Sequence, residues 1–247
     1  ILSGKNIRRA THQVVTNQGS SGVDGMRVSA LSTHLKTNWK RITTAIRNET
    51  YYPQAILGVE IPKSNGKTRL LGIPTVVDRL LQQAFHQVIS PKFELEFKEH
   101  SYGFRPNRNA HQALQQAQKN IHEGYDYIVD IDLKSFFDEV DHGILLELLY
   151  SKVNCPITIR LIRKWLTVPI QVNGKLIKRT RGVPQGSPLS PLLSNIILHE
   201  LDKELEKRGH RYVRYADDFS IYTKSRKAAR RVGNGIFLFL KNKLKLP

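Results

Sequence analysis

The sequence is poor in cysteine, in acidic residues and in long apolar runs. Cys155 is the single cysteine among 247 residues, which excludes an internal disulfide and a cysteine-rich zinc site. No stretch approaches the ~20 apolar residues that a membrane-spanning helix needs, and the first residues lack the apolar core of a signal peptide. Hydrophobic residues make up 40% and charged residues 24%, which is typical of a globular protein and not of a disordered tail. We therefore expect a folded protein in a reducing compartment, with no membrane partner.

Positive charge is in excess and is concentrated at the two ends of the sequence. The chain has 39 Lys and Arg against 21 Asp and Glu, a formal net charge of +18. Residues 1–70 and residues 203–247 carry almost all of this excess, whereas residues 71–202 are nearly neutral. A basic surface attracts nucleic acid through counterion release and steers its association. The distribution predicts a polyanion-binding protein, and a solvated cationic surface without a specific partner is the alternative.

The spacing of apolar residues predicts helices mixed with short hairpins. Steps of three and four predict helices over residues 31–46, 78–88, 110–121, 142–153 and 191–208. Asn65-Gly66 and Asn173-Gly174 each lie between two short extended runs and predict β-hairpins. Residues 125–132 alternate as a strand, and residues 212–215 and 219–222 predict two further strands. This order lacks a regular strand–helix alternation, so it predicts an α+β fold.

Carboxylates collect where two of the predicted strands end. Asp132 closes one strand, with Asp130 on the same face, and Asp217-Asp218 occupies the tip of a hairpin 85 residues later. Oxygen ligands suit Mg²⁺, which binds through one or two carboxylates together with substrate phosphates. Two such ions about 3.5–4 Å apart support an in-line phosphoryl transfer. Asp is also common in turns, so the pattern alone leaves a polar hairpin turn as the other interpretation of Asp217-Asp218.

Five motifs follow one another along the chain. They are Ile61-Pro62-Lys63 to Arg69-Leu70-Leu71-Gly72-Ile73-Pro74, Ser101-Tyr102-Gly103-Phe104-Arg105-Pro106, Asp130-Ile131-Asp132-Leu133-Lys134-Ser135-Phe136-Phe137-Asp138-Glu139-Val140-Asp141-His142, Arg181-Gly182-Val183-Pro184-Gln185-Gly186-Ser187-Pro188-Leu189-Ser190-Pro191 and Tyr215-Ala216-Asp217-Asp218. The last resembles the Tyr-x-Asp-Asp box of reverse transcriptases. All five, in this order, resemble the group II intron-encoded branch of that family, whose proteins are also called maturases.

The resemblance implies a right-hand polymerase with fingers, an antiparallel palm sheet and helices packed on it. We expect fingers over residues 1–75, joined by residues 142–182, and a palm over residues 76–141 and 183–247. The thumb and the maturase domain of the family are expected to be absent from this sequence. We therefore expect the chain to be the fingers and palm part of a longer protein.

The resemblance also implies a catalytic site. Asp132, Asp217 and Asp218 would be catalytic and would hold two Mg²⁺ ions, with Leu133 as a further metal-ligand position. The strand pattern does not choose between Asp130 and Asp132, which share a face. The family spacing to the phenylalanine pair favours Asp132 and leaves Asp130 a supporting role.

Further residues are implied in nucleotide binding. Lys63 and Arg69, on the first hairpin, would bind the incoming triphosphate, where cations offset the charge of the transition state. One ring of the pair Phe136 and Phe137 would pack under the deoxyribose and exclude a 2′-hydroxyl, and the sequence does not tell which. Gln185 and Gly186 lie in a loop whose glycines allow the backbone to approach the nucleotide closely.

Several basic side chains are expected to contact nucleic acid. Arg105 and Arg108 would touch the template, and Arg226 and Arg230 on a last predicted helix would face nucleic acid.

The expected partners are group II intron RNA, an RNA template, a DNA primer and deoxynucleoside triphosphates. An apolar run over residues 236–240 of the last helix adds the hypothesis of a homodimer. The expected location is the bacterial cytoplasm or an organelle, in association with nucleic acid.

The leading interpretation is an RNA-directed DNA polymerase that also binds its intron RNA to assist splicing. The alternative is a non-catalytic RNA-binding splicing cofactor that uses the polymerase fold as a scaffold. The Asp residues and Gln185 favour the polymerase, since a scaffold has no need for carboxylates in a polyanion-binding cleft. The residues Tyr215-Ala216 and the phenylalanine pair disfavour an RNA-dependent RNA polymerase. The run Val183-Pro184-Gln185-Gly186 disfavours the retron and diversity-generating branches.

Overall fold

The computed structural model describes residues 1–62, 66 and 68–247, and it divides the chain into two units. Unit 1 comprises Ile1–Lys92 and Leu149–Ser190, and unit 2 comprises Phe93–Leu148 and Pro191–Pro247. The assignment of residues 1–75 and 142–182 to fingers, and of residues 76–141 and 183–247 to palm, stays a prediction.

The described residues form helices and short strands in an irregular order. The helices are α1 Gly4–Thr16, α2 Leu31–Arg47, α3 Val76–Glu94, α4 Ala110–His122, α5 Phe136–Glu139, α6 His142–Val153, α7 Pro156–Thr167, α8 Ser190–Lys207 and α9 Arg226–Phe239. The strands are β1 Ile56–Pro62, β2 Thr68–Ile73, β3 Tyr127–Ile131, β4 Ile170–Val172, β5 Lys175–Ile177, β6 Arg211–Tyr215 and β7 Asp218–Thr223. A 3₁₀ turn Val28–Ala30 precedes α2, and a π-helical turn Leu240–Leu244 continues α9. The predicted helices and the α+β class are confirmed.

Polar side chains fix where several helices begin. Ser3 accepts a hydrogen bond from the Asn6 amide and caps α1, and Ser225 caps α9 through the Ala228 amide. Asn109 and Gln112 form a reciprocal capping box at the start of α4. These bonds satisfy backbone donors that the first helical turn leaves without intrahelical partners.

Unit 1 contains a four-stranded mixed sheet in the order β2-β1-β4-β5. Strand β1 pairs antiparallel with β2 and parallel with β4, and β4 pairs antiparallel with β5. The β4–β5 hairpin turns at Asn173 and Gly174, both with positive φ, as the Asn-Gly pair predicts. The β1–β2 hairpin is confirmed by its strand pairing, while Lys63, Ser64, Asn65 and Lys67 lie outside the described residues.

A buried carboxylate joins three segments of unit 1. Asp78 on α3 is 1% exposed and accepts hydrogen bonds from the Tyr51 hydroxyl (2.8 Å), the Thr75 hydroxyl (2.8 Å) and the Trp165 indole (3.0 Å). Burial raises the pKa of Asp78, and these three hydrogen bonds oppose that shift. A buried carboxylate is tolerated where hydrogen bonds compensate its lost hydration.

Replacing Trp165 by phenylalanine is expected to lower the free energy of unfolding by about 1–2 kcal/mol, because one hydrogen bond to a buried charged group is lost. Phenylalanine keeps an aromatic ring opposite Phe85, whose centroid lies 5.1 Å from that of Trp165. It fills less space than the buried indole, so a cavity term adds to the loss of the hydrogen bond. Urea unfolding of both proteins measures the difference. A change below a few tenths of a kcal/mol would show that Asp78 does not depend on this donor.

Unit 2 is built on a three-stranded antiparallel sheet in the order β3-β7-β6. Ile131 pairs with Phe219, and Tyr215 pairs with Asp218 across the β6–β7 hairpin. Helix α4 packs on β6, and α9 packs on β3 and β7. The central strand β7 therefore has a paired neighbour on each side, and its first residue is Asp218.

Candidate active site

The sheet register of unit 2 brings the predicted carboxylates to one edge. Strand β3 runs toward Asp132, and its last residue Ile131 is opposite Phe219. One further step of the same register places Asp132 opposite Asp218, at the end where the β6–β7 hairpin turns. We call residues 215–218, which make that turn, the Asp–Asp turn. Residues far apart in the sequence thus meet because an antiparallel ladder aligns the end of one strand with the start of another.

The backbone of the Asp–Asp turn has an uncommon conformation at its centre. Ala216 has a φ of 59°, in the left-handed region that residues with a Cβ seldom occupy. Its side chain is buried, whereas Asp217 is half-buried and Asp218 is exposed. The turn therefore carries two consecutive carboxylates that are both accessible to solvent.

Burial and mutual repulsion both raise the pKa values of the carboxylates in the Asp–Asp turn. Burial raises the pKa of Asp217, and the negative charge of Asp132 raises it further. Burial also raises the pKa of Asp218, to which the charges of Asp217, Asp132 and Asp130 add. Like charges at one edge disfavour ionisation of each other, and a bound cation reverses that effect.

The donor set at this edge fits a hard divalent cation. Asp132, Asp217 and Asp218 supply only oxygen, and Mg²⁺ takes one or two carboxylates while substrate phosphates and water complete its shell. Within the described part of the chain, no three His, Cys, Asp or Glu side chains form a ready-made metal site. The side chain of Leu133 has no donor atom, so this residue could ligate a metal only through its carbonyl oxygen, which also accepts a hydrogen bond from the Phe136 amide at 3.2 Å. Asp130 accepts a hydrogen bond from Ser220 at 2.8 Å.

The predicted nucleotide loop lies in unit 1 and is attached to β2. The Gly72 amide donates to the Gln185 carbonyl at 2.6 Å, and the Ser187 hydroxyl donates to Gln82 at 2.6 Å. Gly186 has a φ of 110°, and a Cβ there would lie 2.7 Å from the Gly72 carbonyl oxygen. The loop therefore requires glycine at this position, and Gln185 is half-buried beside it.

Two further residues are predicted to bind the incoming nucleotide. Arg69 lies on β2 with an exposed side chain, whereas Lys63 lies outside the described residues. In unit 2, Phe136 is 2% exposed and Phe137 is half-buried. Their ring centroids are 5.5 Å apart, and Phe104 packs edge-to-face against Phe137 at 6.5 Å. The adjacent rings thus differ in exposure, as expected for one core side chain and one facing outward.

The four arginines predicted to contact nucleic acid differ in their surroundings. Arg226 and Arg230 on α9 are exposed. Arg108 lies 5.6 Å from the centroid of the Tyr102 ring and is half-buried. Arg105 is buried and donates to Glu94 (2.7 and 2.9 Å) and to the carbonyls of residues 97, 98 and 101. Arg105 therefore stabilises its own segment, and its geometry gives no support to the predicted template contact.

Sequence reasoning missed the side chains behind the Asp–Asp turn. Arg214 and Asp202 are both fully buried and form an ion pair at 2.6 Å, and Asn195 is 1% exposed beside them. A signal was available in the sequence, because Asn195 and Asp202 share the helical face of Leu198 and Leu205 on α8. Polar residues within an apolar stripe indicate a buried partner.

Comparisons with known proteins identify the family of this chain. Residues 61–246 match the reverse transcriptase (RNA-dependent DNA polymerase) family. The group II intron-encoded protein LtrA of Lactococcus lactis is 40% identical over 165 residues, which is 66% of this chain and 27% of that protein. The protein YkfC of Escherichia coli is 34% identical over 191 residues, which is 76% of this chain and 50% of that protein.

Solved structures with the same fold include a partial Cas6-RT-Cas1–Cas2 complex and a telomerase. The first is 27% identical with a TM-score of 0.59 and covers 98% of this chain and 42% of the other. Telomerase from Candida albicans is 14% identical with a TM-score of 0.58, covering 84% of this chain and 46% of the other, and it supports the fold alone. The predicted polymerase fold of fingers and palm is confirmed.

The match leaves much of the relatives' length uncovered, since the chain spans between about a quarter and a half of the curated proteins above. None of the helices in the described ranges is long and apolar enough to cross a membrane.

Proteins of the matched family bind RNA templates and DNA and generally depend on a divalent metal. The family match over three-quarters of the sequence establishes that this chain belongs to the reverse transcriptase family, and its relatives include group II intron-encoded proteins, as the motifs predicted.

Proposed function

We propose that the chain catalyses RNA-directed DNA synthesis, adding deoxynucleotides to a DNA primer on an RNA template. The observation that carries the proposal is the register that aligns Asp132 with the Asp–Asp turn. Three carboxylates at one sheet edge of a protein with a net charge of +18 disfavour plain RNA binding, because they repel phosphate. Their oxygen chemistry suits metal-assisted phosphoryl transfer.

The catalytic residues of this proposal are Asp132, Asp217 and Asp218. They would hold two Mg²⁺ ions, with the Leu133 carbonyl as a further ligand. When bound, such ions neutralise charge on the triphosphate and lower the pKa of the primer 3′-hydroxyl. In the reaction the 3′-hydroxyl would lose its proton to water, its oxygen would form a bond to the α-phosphorus, and the bond from that phosphorus to the β-phosphate oxygen would break, so that pyrophosphate leaves. The protein keeps the carboxylates in fixed positions, so that little reorganisation accompanies the reaction.

The nucleotide contacts of the proposal follow the family resemblance. Lys63 and Arg69 would bind the triphosphate, and the backbone of Gln185 and Gly186 would approach the incoming nucleotide. The fixed loop conformation around Gly186 supports this role, because a rigid backbone positions its polar groups without an ordering cost on binding. The pair Phe136-Phe137 would supply the ring that excludes a 2′-hydroxyl.

The chain is also proposed to bind its intron RNA and to assist splicing. Its basic charge and the exposed side chains of Arg226 and Arg230, together with half-buried Arg108, support binding to phosphates. Relatives of this chain are described as group II intron-encoded proteins. The alternative, a splicing cofactor without catalysis, shares these arginines and differs only in having no use for the carboxylates.

A homodimer and a location in the bacterial cytoplasm or an organelle stay predictions. Phe237 and Leu238 on α9 are each 54% exposed, which supports an apolar contact between copies. Sedimentation at several protein concentrations tests the dimer, and a monomer mass at all of them would contradict it.

Primer extension under single-turnover conditions tests the polymerase proposal. With enzyme in excess over a short DNA primer on an RNA template, addition of the first nucleotide does not depend on processivity. We expect extension with deoxynucleotides, much slower extension with ribonucleotides, loss in EDTA and recovery on adding Mg²⁺. Salt-sensitive RNA binding without any nucleotide addition would contradict the proposal and favour the splicing scaffold.

A further inference from the structure

Arg214, the residue directly before the Asp–Asp turn, is a fully buried arginine with every donor in use. Its Nε and Nη2 donate to the two carboxylate oxygens of Asp202, at 2.8 and 2.6 Å. Nη1 donates to the Asn195 side-chain oxygen at 3.0 Å and to the Ala216 carbonyl at 2.8 Å, and Nη2 also donates to the Ser101 hydroxyl at 2.5 Å. These bonds account for all five N–H groups of a guanidinium.

One of these bonds reaches the centre of the turn. Ala216 holds a left-handed backbone, which costs about 1–2 kcal/mol for a residue with a Cβ. The Arg214 guanidinium binds the carbonyl of this same residue, so the ion pair with Asp202 is connected to the backbone that directs Asp217. A charged donor strengthens that bond relative to a neutral one.

Residues 101–105 also pack directly against the turn. A Cβ on Gly103 would lie 2.2 Å from the Ala216 nitrogen, so the two backbones are in direct contact. Asn195 donates to the Gly103 carbonyl at 2.9 Å, and the Tyr102 amide donates to the Arg214 carbonyl at 2.9 Å. Arg105 in turn fixes this segment through Glu94 and the carbonyl of Ser101.

We propose that Arg214 is a positioning residue for catalysis, which with Asp202, Asn195 and Gly103 holds the Ala216 backbone so that the carboxylates of the Asp–Asp turn stay in a reactive arrangement. The inference rests on the proposed polymerase function. It assigns a role in the reaction to a side chain that touches neither substrate nor metal. It also implies that the motif Ser101-Tyr102-Gly103-Phe104-Arg105-Pro106 supports the backbone of the Asp–Asp turn and does not contact the template.

Two substitutions separate this role from simple support of the fold. Arg214→Lys keeps the charge beside Asp202 but lacks the planar fork that reaches the Ala216 carbonyl. Gly103→Ala leaves the ion pair intact and displaces the turn by steric contact. Gly233→Ala is the matched control in the same unit, because its new Cβ would meet Val129 at an ordinary 3.4 Å. Should Arg214→Lys fail to fold, the double variant Arg214→Met with Asp202→Leu replaces the ion pair by apolar side chains of similar volume.

The measurements are kcat and KM per active molecule, affinity for RNA, and amide hydrogen exchange of a peptide spanning residues 215–219. We expect kcat to fall about a hundredfold in both variants, since a 1 Å misplacement has effects of that size. KM for deoxynucleotides and RNA affinity should stay within about twofold. Exchange in residues 215–219 should become about tenfold faster, because local opening is easier there.

Unchanged kcat per active molecule, with only a lower melting temperature, would overturn the proposal and leave Arg214 a structural residue. The exchange experiment separates this result from a failure of the polymerase proposal. If wild-type protein adds no nucleotide, the proposed function fails, while unchanged exchange in residues 215–219 of both variants would by itself overturn the positioning role.

Discussion

Asp217→Asn is expected to abolish nucleotide addition, with a rate loss of at least about a thousandfold. The substitution keeps the shape of the side chain and removes the charge that a divalent cation needs. Stability should not fall, because burial and the charge of Asp132 already disfavour ionisation of Asp217. RNA affinity should be unchanged or slightly higher, since one negative charge leaves the edge. Single-turnover primer extension and a filter-binding titration measure the two quantities.

A matched control is Asp126→Asn, which removes one exposed carboxylate from the same unit, just before the other end of β3. This variant should retain the wild-type extension rate. Parallel losses of extension and RNA binding in Asp217→Asn would contradict the catalytic assignment, and so would normal extension.

Gly186→Ala is expected to lower kcat/KM for deoxynucleotides about a hundredfold, chiefly by raising KM. A Cβ at this φ of 110° is strained, and it would also lie 2.7 Å from the Gly72 carbonyl and 2.9 Å from Leu71. The loop must therefore move away from β2, and the Gly72 to Gln185 hydrogen bond is lost. Steady-state extension with varied deoxynucleotide measures the effect.

Gly174→Ala controls for backbone strain without the steric contact. Gly174 also has a positive φ, of 78°, but a Cβ there meets nothing within 4 Å. It should lower the free energy of unfolding by about 1 kcal/mol and leave the nucleotide KM unchanged. Equal KM changes in both variants would mean that the loop position does not govern nucleotide binding.

Periodicity predicted most of the helices because each has an apolar stripe that repeats at helical spacing. Three of the described helices lay outside the prediction, α1, α7 and the single turn α5. In α1 the buried stripe is only Ile7, Ala10 and Val14, so the signal is short. Pro156 at the first turn of α7 was a usable start signal, since proline is favoured at that position.

Motif order predicted the carboxylates and the loop at Gly186, because their chemistry depends on residue type in a short segment. The supporting side chains could not be predicted in this way. Arg214 and Asp202 each occur among other charged residues in the sequence, and only the packing of α8 beneath β6 makes the pair buried. Arg105 shows the converse, since the family resemblance implied a contact with nucleic acid for a side chain that is buried in its own segment.

Salt is expected to act differently on the buried ion pair behind the Asp–Asp turn and on the exposed arginines. Water and counterions have no access to Arg214 and Asp202, so their attraction is screened little as ionic strength rises. Contacts between exposed arginines and RNA phosphates weaken steeply under the same change. We therefore expect rising ionic strength to weaken RNA binding and to leave the ion pair that holds the Ala216 backbone unchanged.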